Sequence, residues 1–140
     1  MTGRSGETGV DHKRQVHGLW NQASGGENLL LSAIDREGNR DQSEERYRLE
    51  PSIPSFVDFS SARGRRVLEI GVGLGSDHQR VAGSGALLSG IDLTWRALEH
   101  TQRRLVLFGL SSELAVGDAE KASFRGQDLR YPPPMRCAAP

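Results

Sequence analysis

Three short apolar runs stand out in the second half of the chain, each flanked by polar or glycine-rich sequence. Residues 67–70 form the first run, which ends at a glycine-rich turn as a buried parallel strand would. Residues 86–91 form the second run and residues 114–116 form the third. These runs predict three short β-strands.

Two helices are predicted between these strands. The first begins at Ser76 or Asp77, since either side chain can cap a helix start, and it ends near Ala82. The second is capped by Thr94 and is closed by Gly109, where a left-handed residue is needed. Apolar and small side chains recur along the second helix at steps of three and four: Leu98, Thr101, Leu105 and Phe108.

Alternation of strands and helices predicts an α/β fold with a Rossmann-like parallel sheet of about three strands, right-handed crossovers and flanking helices. This sheet domain occupies residues 63–125. A polar N-terminal extension precedes it. We expect residues 1–16 to form a disordered tail, because they lack apolar periodicity, and residues 17–62 to form a helical extension and connector. Residues 126–140, which include three consecutive prolines, are expected to form an irregular tail.

Composition and charge give no indication of a nucleic-acid-binding, membrane-associated or metal-binding protein. The 18 basic and 18 acidic side chains cancel, so the net charge gives no signal for nucleic acid. Since no apolar stretch is long enough to span a bilayer and the first residues lack a signal-peptide pattern, we expect a cytoplasmic protein with no membrane partner. The single cysteine, Cys137, forms no internal disulfide, and no cysteine or histidine spacing indicates a metal site.

Candidate binding residues fall at the carboxyl ends of all three predicted strands, where open parallel sheets bind ligands. A glycine turn preceded by a carboxylate follows the first strand: Glu69, Gly71, Gly73 and Gly75. Asp92 follows the second strand, at the position where a carboxylate meets a ribose diol. Asp118 follows the third strand, where an adenine ring would lie. Together they predict a nucleoside site.

Each of these positions also fits a purely structural role. The glycines can form a tight turn, Asp92 can cap the following helix, and Asp118 can sit in a turn after Gly117. A nicotinamide-dependent oxidoreductase is a further alternative. The dinucleotide pattern Gly-x-Gly-x-x-Gly fits poorly, because Ser76 occupies its last position and Gly75 comes one place early. We expect the nearby His78 to be solvated on its helix.

In residues 67–124 the sequence resembles the class I S-adenosylmethionine-dependent methyltransferases. Residues 68–75 are similar to the family's glycine motif, residues 90–94 to its acidic second-strand motif, and residues 116–120 to its third motif. The resemblance implies an enzyme that transfers a methyl group from S-adenosyl-L-methionine. The acceptor is not identified, with a small molecule favoured.

The resemblance also assigns roles to the cofactor-binding residues. Gly71 and Gly73, with Gly75 beside them, line the methionine part, and Glu69 helps to place its ammonium group. Asp92 takes both ribose hydroxyls and Leu93 packs on adenine, while Asp118 and the backbone of Ala119 read the adenine edge. No catalytic residue is assigned.

Family members continue with a fourth strand that faces the acceptor, whereas this sequence ends in the proline-rich stretch. We therefore expect a truncated, frame-shifted or partner-completed methyltransferase. The alternative is a non-catalytic remnant or interaction module that retains only cofactor binding. Because the first strand lies in the middle of the family's complete sheet, we also expect its free edge to promote self-association.

Overall fold

The computed structural model describes residues 7–22, 26–27 and 31–121, with side chains from His12 onward. The predicted Pro-rich tail at residues 126–140 lies outside the described residues. The elements in chain order are α1 (Glu7–Gln22), α2 (Arg36–Leu49), α3 (Ser52–Phe56), a 3-10 turn (Phe59–Ala62), β1 (Arg66–Ile70), α4 (Ser76–Gly83), β2 (Leu87–Asp92), α5 (Trp95–Leu107) and β3 (Glu113–Val116).

The three strands form one parallel sheet in the order β1-β2-β3. Glu69 of β1 is in register with Gly90 of β2, and Asp92 at the end of β2 is in register with Val116 of β3. The predicted α/β fold, with a Rossmann-like three-stranded parallel sheet and flanking helices, is confirmed.

The core lies between the sheet and the helices that connect its strands. Residues from the glycine turn, α5 and β3 pack together there: Val72, Ala97, Leu98, Leu105 and Leu114. The ends of α5 follow the sequence signals, since Thr94 Oγ1 accepts a hydrogen bond from the Ala97 amide and Gly109 takes a φ of +67°. Both predicted end signals are confirmed, so the ends of α5 follow from local sequence.

Helix α1 corrects the prediction of a disordered tail at residues 1–16 for its residues 7–16, and residues 1–6 lie outside the described part of the chain. Helix α1 begins at Glu7 and packs against α5, and Lys13 on α1 forms an ion pair with Asp118 beyond β3, at 3.0 Å. A polar helix of this kind gains its stability from contacts with distant parts of the chain rather than from its own pattern. Sequence periodicity therefore gave no sign of it.

Helix α2 is almost wholly polar, yet Asn39 and Gln42 on one of its faces are buried. Asp35 begins the helix by accepting a hydrogen bond from the Gly38 amide at 2.8 Å. The buried face receives the guanidinium of Arg104 on α5, whose Nη1 donates to Gln42 Oε1 at 2.6 Å. A polar network, not an apolar stripe, thus joins α2 to the domain.

No helix in the described part of the chain is both long and apolar enough to cross a membrane.

Candidate functional site

The glycine turn after β1 combines a left-handed backbone with open space. Gly71 and Gly73 have φ values of +80° and +54°, and a Cβ atom at either position would meet nothing within 4 Å. Gly75 differs, because a Cβ atom there would lie 2.8 Å from Thr101 Oγ1 on α5. Gly71 and Gly73 therefore border the space at the carboxyl edge of the sheet, whereas Gly75 allows the turn to pack on α5.

Asp92 joins the end of β2 to this turn. Its Oδ2 accepts a hydrogen bond from the Gly73 amide at 3.2 Å. Its Oδ1 accepts from the Thr94 amide at 2.9 Å and from Thr94 Oγ1 at 3.1 Å. The carboxylate thus lies between the glycine turn and the start of α5, where it holds the capping residue Thr94 and does not itself cap the helix.

Asp118 lies next to Asp92 along the same edge. The Gly117 amide donates to the Asp92 carbonyl at 2.9 Å, which places the loop after β3 beside the end of β2. Asp118 Oδ1 accepts from the Glu120 amide at 3.0 Å. Leu93 forms the bend between β2 and α5, and Ala119 lies in the turn that follows Asp118; both are half-buried. The predicted adenine-side residues thus occupy two adjacent loops.

Lys13 of α1 contacts this end of the site. Its Nζ donates to Asp118 Oδ2 at 3.0 Å and also to Glu120. The hydrogen bond from Lys13, followed by the one from the Glu120 amide, lowers the pKa of the Asp118 carboxyl. Asp118 is therefore an ionised acceptor at neutral pH.

Glu69 and His78 meet beneath the glycine turn. His78 is fully buried, so the expectation that it is solvated is wrong. Its Nδ1 lies 2.7 Å from Glu69 Oε2 and its Nε2 lies 2.8 Å from Ser112 Oγ. Of the groups that the structure describes, none forms a hydrogen bond with the other carboxylate oxygen of Glu69, Oε1. Glu69 thus has one oxygen held by the buried imidazole, while 22% of its side chain remains exposed.

One sequence signal did mark the location of His78. Gly90 lies inside β2, and glycine within a strand marks a place where another group approaches closely. A Cβ atom at Gly90 would lie 2.7 Å from His78 Cε1, which shows that the imidazole fills this space. The partner residue Ser112 carries no such signal, because its contact joins groups 34 positions apart in sequence.

Two further side chains support the other flank of the turn. Arg46 Nη2 lies 2.9 Å from Asp77 Oδ2, and the Tyr47 hydroxyl donates to Asp77 Oδ1 at 2.7 Å. Burial, followed by the hydrogen bond to Asp77, raises the pKa of Tyr47. Since Asp77 is in the first turn of α4, these contacts fix α2 against the start of the helix that leaves the glycine turn.

Arg104 on α5 stabilises the glycine turn from the buried side of the domain. Its fully buried guanidinium donates to the Leu74 carbonyl at 3.2 Å, to the Asn39 carbonyl at 2.7 Å and to Gln79 Oε1 at 2.6 Å, and it also donates to the Ser43 hydroxyl. Burial lowers the pKa of Arg104 to about 10, so the side chain stays charged at neutral pH. The sequence pattern gives no sign of this network, because an arginine at helical spacing ordinarily faces solvent.

Within the described ranges, no group of three or more His, Cys, Asp or Glu side chains is arranged to hold a metal ion. The acceptors at the edge of the sheet are carboxylates and backbone groups beside a glycine turn, which suit the hydroxyl and amino donors of a nucleoside.

Comparisons with known proteins give little further information. No protein-family model matches the chain, and no curated protein matches it. One solved structure is described as "Conversion of a Disulfide Bond into a Thioacetal Group during Echinomycin Biosynthesis"; the match has 28% sequence identity and a TM-score of 0.42. It covers 46% of this chain and 28% of that one.

Proposed function

We propose that the carboxyl edge of the sheet binds S-adenosyl-L-methionine and that the protein is a methyltransferase of the class I type. The observation that carries this proposal is the hydrogen bond from the Gly73 amide to Asp92, at 3.2 Å, because it brings the glycine turn and the second-strand carboxylate to one place. The site needs carboxylates for an ammonium group and a ribose more than it needs a phosphate cradle, and the residues present fit that requirement.

The proposed roles follow the order of the strands. Glu69 accepts from the cofactor's ammonium group, and Gly71 and Gly73 allow the methionine part to approach the backbone, with Gly75 supporting the turn. Asp92 accepts from the two ribose hydroxyls. The adenine ring packs on Leu93, and its edge is read by Asp118 and the backbone of Ala119.

Binding of a ribose requires a rearrangement at Asp92. A carboxylate has about four lone-pair sites, and three hydrogen bonds from Gly73 and Thr94 already use most of them. A diol brings two donors, so at least one of the present bonds must give way. The contact from the Gly73 amide is the longest of the three and is the one that we expect to lengthen.

When bound, the cofactor supplies a methyl group on a positively charged sulfur. The protein's task is then to hold the acceptor in line with that sulfur at near-contact distance. We propose a small-molecule acceptor. A neutral net charge fits this choice better than it fits nucleic acid, and a single cysteine is consistent with a cytoplasmic setting.

Calorimetric titration with S-adenosylhomocysteine tests the proposal. The wild-type chain is expected to bind, and Asp92→Ala is expected to lose at least about tenfold in affinity because the diol loses a charged acceptor. Asp41→Ala, which removes an exposed carboxylate on α2, is the matched control and should bind as the wild type does. Absence of binding to the wild type would contradict the proposal. Binding without transfer to any tested acceptor would favour the non-catalytic module instead.

A further inference from the structure

A line of three polar side chains runs across the face of the sheet beneath the glycine turn. Glu69 on β1, His78 on α4 and Ser112 just before β3 are joined by two short contacts to the imidazole, at 2.7 and 2.8 Å. The imidazole is fully buried, and Ser112 Oγ is also 2.8 Å from the Leu88 carbonyl of β2. The line therefore links all three strands to α4.

The surroundings hold the imidazole in one orientation. An ionised carboxylate only accepts hydrogen bonds, so the Nδ1–H of His78 donates to Glu69 and Nε2 pairs with Ser112. The ring lies over Gly90, where even a methyl group would be too close, and Val72 and Leu114 enclose the same space. A side chain packed this tightly cannot swing away without disturbing the core.

A fixed donor on one carboxylate oxygen determines where the other oxygen points. His78 holds Glu69 Oε2 from the side of the core, which leaves Oε1 as the acceptor for a ligand. Outer hydrogen bonds of this type orient acceptor side chains and are often costly to remove. His78 itself is too deeply buried to touch a ligand at the edge of the sheet.

We propose that His78 is a positioning residue that orients Glu69 toward the ammonium group of the cofactor's methionine part. This inference rests on the proposed function, since it specifies how one end of that ligand is selected. It predicts that loss of the His78 donor weakens binding only of ligands that carry the ammonium group. A purely structural role for His78 would instead weaken binding of every ligand that uses the site.

Two adenosine thioethers separate these roles. S-Adenosylhomocysteine carries the ammonium group, whereas 5′-methylthioadenosine has the same nucleoside and lacks the amino-acid part. In His78→Leu, we expect affinity for S-adenosylhomocysteine to fall about tenfold and affinity for methylthioadenosine to change less than about twofold. His78→Asn keeps an N–H donor near the Nδ1 position and should recover most of the lost affinity.

Two comparisons complete the experiment. Glu69→Gln should show the same ligand selectivity, and the double variant with His78→Leu should lose little more than either single variant, because both changes remove one interaction. Ser84→Ala, which removes a hydroxyl that bonds to the Val81 carbonyl at the far end of α4, is the control and should bind both ligands normally.

The outcomes are distinguishable. Failure of the wild type to bind either ligand would overturn the proposed function. Normal wild-type binding combined with an equal loss of both ligands in His78→Leu, or with no loss of S-adenosylhomocysteine, would overturn the role of His78 alone. If His78→Leu does not fold, Ser112→Ala tests the same line; a selective loss of about twofold to fivefold supports the role, and equal or no loss overturns it.

Discussion

Gly73 in the glycine turn and Gly83 at the end of α4 differ in backbone conformation. Gly73 has a φ of +54° with open space around the Cβ position, so a side chain there meets strain from the backbone alone. We expect Gly73→Ala to lower the free energy of unfolding by about 1–2 kcal/mol. Gly83, the last residue of α4, has equal space without a positive φ, and Gly83→Ala should raise that free energy by up to about 1 kcal/mol. Chemical denaturation measures both, and equal effects would contradict the assignment.

Arg104 is a second residue whose effect is predictable. It is the hub of a buried network with neutral partners, so Arg104→Met leaves several buried acceptors without a donor. We expect the free energy of unfolding to fall by about 3 kcal/mol, with α2 the first element to lose protection from hydrogen exchange. Arg103→Met, at the exposed neighbouring position, should change stability by less than about 0.5 kcal/mol. A loss confined to other elements would argue against the network's role.

The contrast between Asp92 and His78 shows how far residue patterns reach. The sequence singles out Asp92 as a candidate because it directly follows a strand that its own neighbours predict. The burial of His78 depends on Glu69 and Ser112, which come together only when the sheet has formed. A pattern of nearby residues carries no information about that pairing, apart from the glycine in β2.

At the scale of elements, helices with signals in their own sequence were predicted, whereas helices that depend on contacts with distant residues were not. Helices α4 and α5 lie between strands and carry their own caps and periodicity, so local sequence located them closely. Helix α2 depends on Arg104 and helix α1 on contacts with α5 and the loop after β3, all distant in sequence. Local pattern therefore assigned most of α1 to a tail, and it placed α2 only within a broad helical extension at residues 17–62, without its bounds.

The docking of α1 leads to a prediction about pH. Pairing with Lys13 lowers the folded-state pKa of Asp118 below 3.8, the ordinary value for an aspartate side chain. The pair therefore contributes fully to the free energy of unfolding above pH 3.8. This contribution is lost as the pH falls through the lowered pKa of Asp118 in the folded state. Titration of the Asp118 carboxyl carbon by NMR should give a midpoint below 3.8, and Lys13→Met should move it upward. An unchanged midpoint in the variant would show that the ion pair does not form.

At the scale of the whole molecule, the sheet exposes apolar side chains to solvent near its β1 edge. Among the described residues β1 has a strand neighbour on one side only, and Ile70 and Leu87 are 56% and 63% exposed on the face away from α4 and α5. We propose that the protein self-associates through this edge. Sedimentation velocity should show a concentration-dependent dimer that Ile70→Glu, on the edge strand β1, weakens, whereas Val106→Glu, at a 65% exposed position on α5, should not. A monomer at all concentrations would contradict this proposal.

We propose that one nucleoside-sized site spans the ends of all three strands. Amide NMR spectra recorded during addition of S-adenosylhomocysteine test it most directly, because they report on each strand end separately. We predict coupled, saturable shifts at Gly73, at Thr94 beside Asp92 and at Ala119, with little change at the exposed residues of α2. Saturable shifts confined to one strand end, or the absence of shifts at all three, would contradict the account.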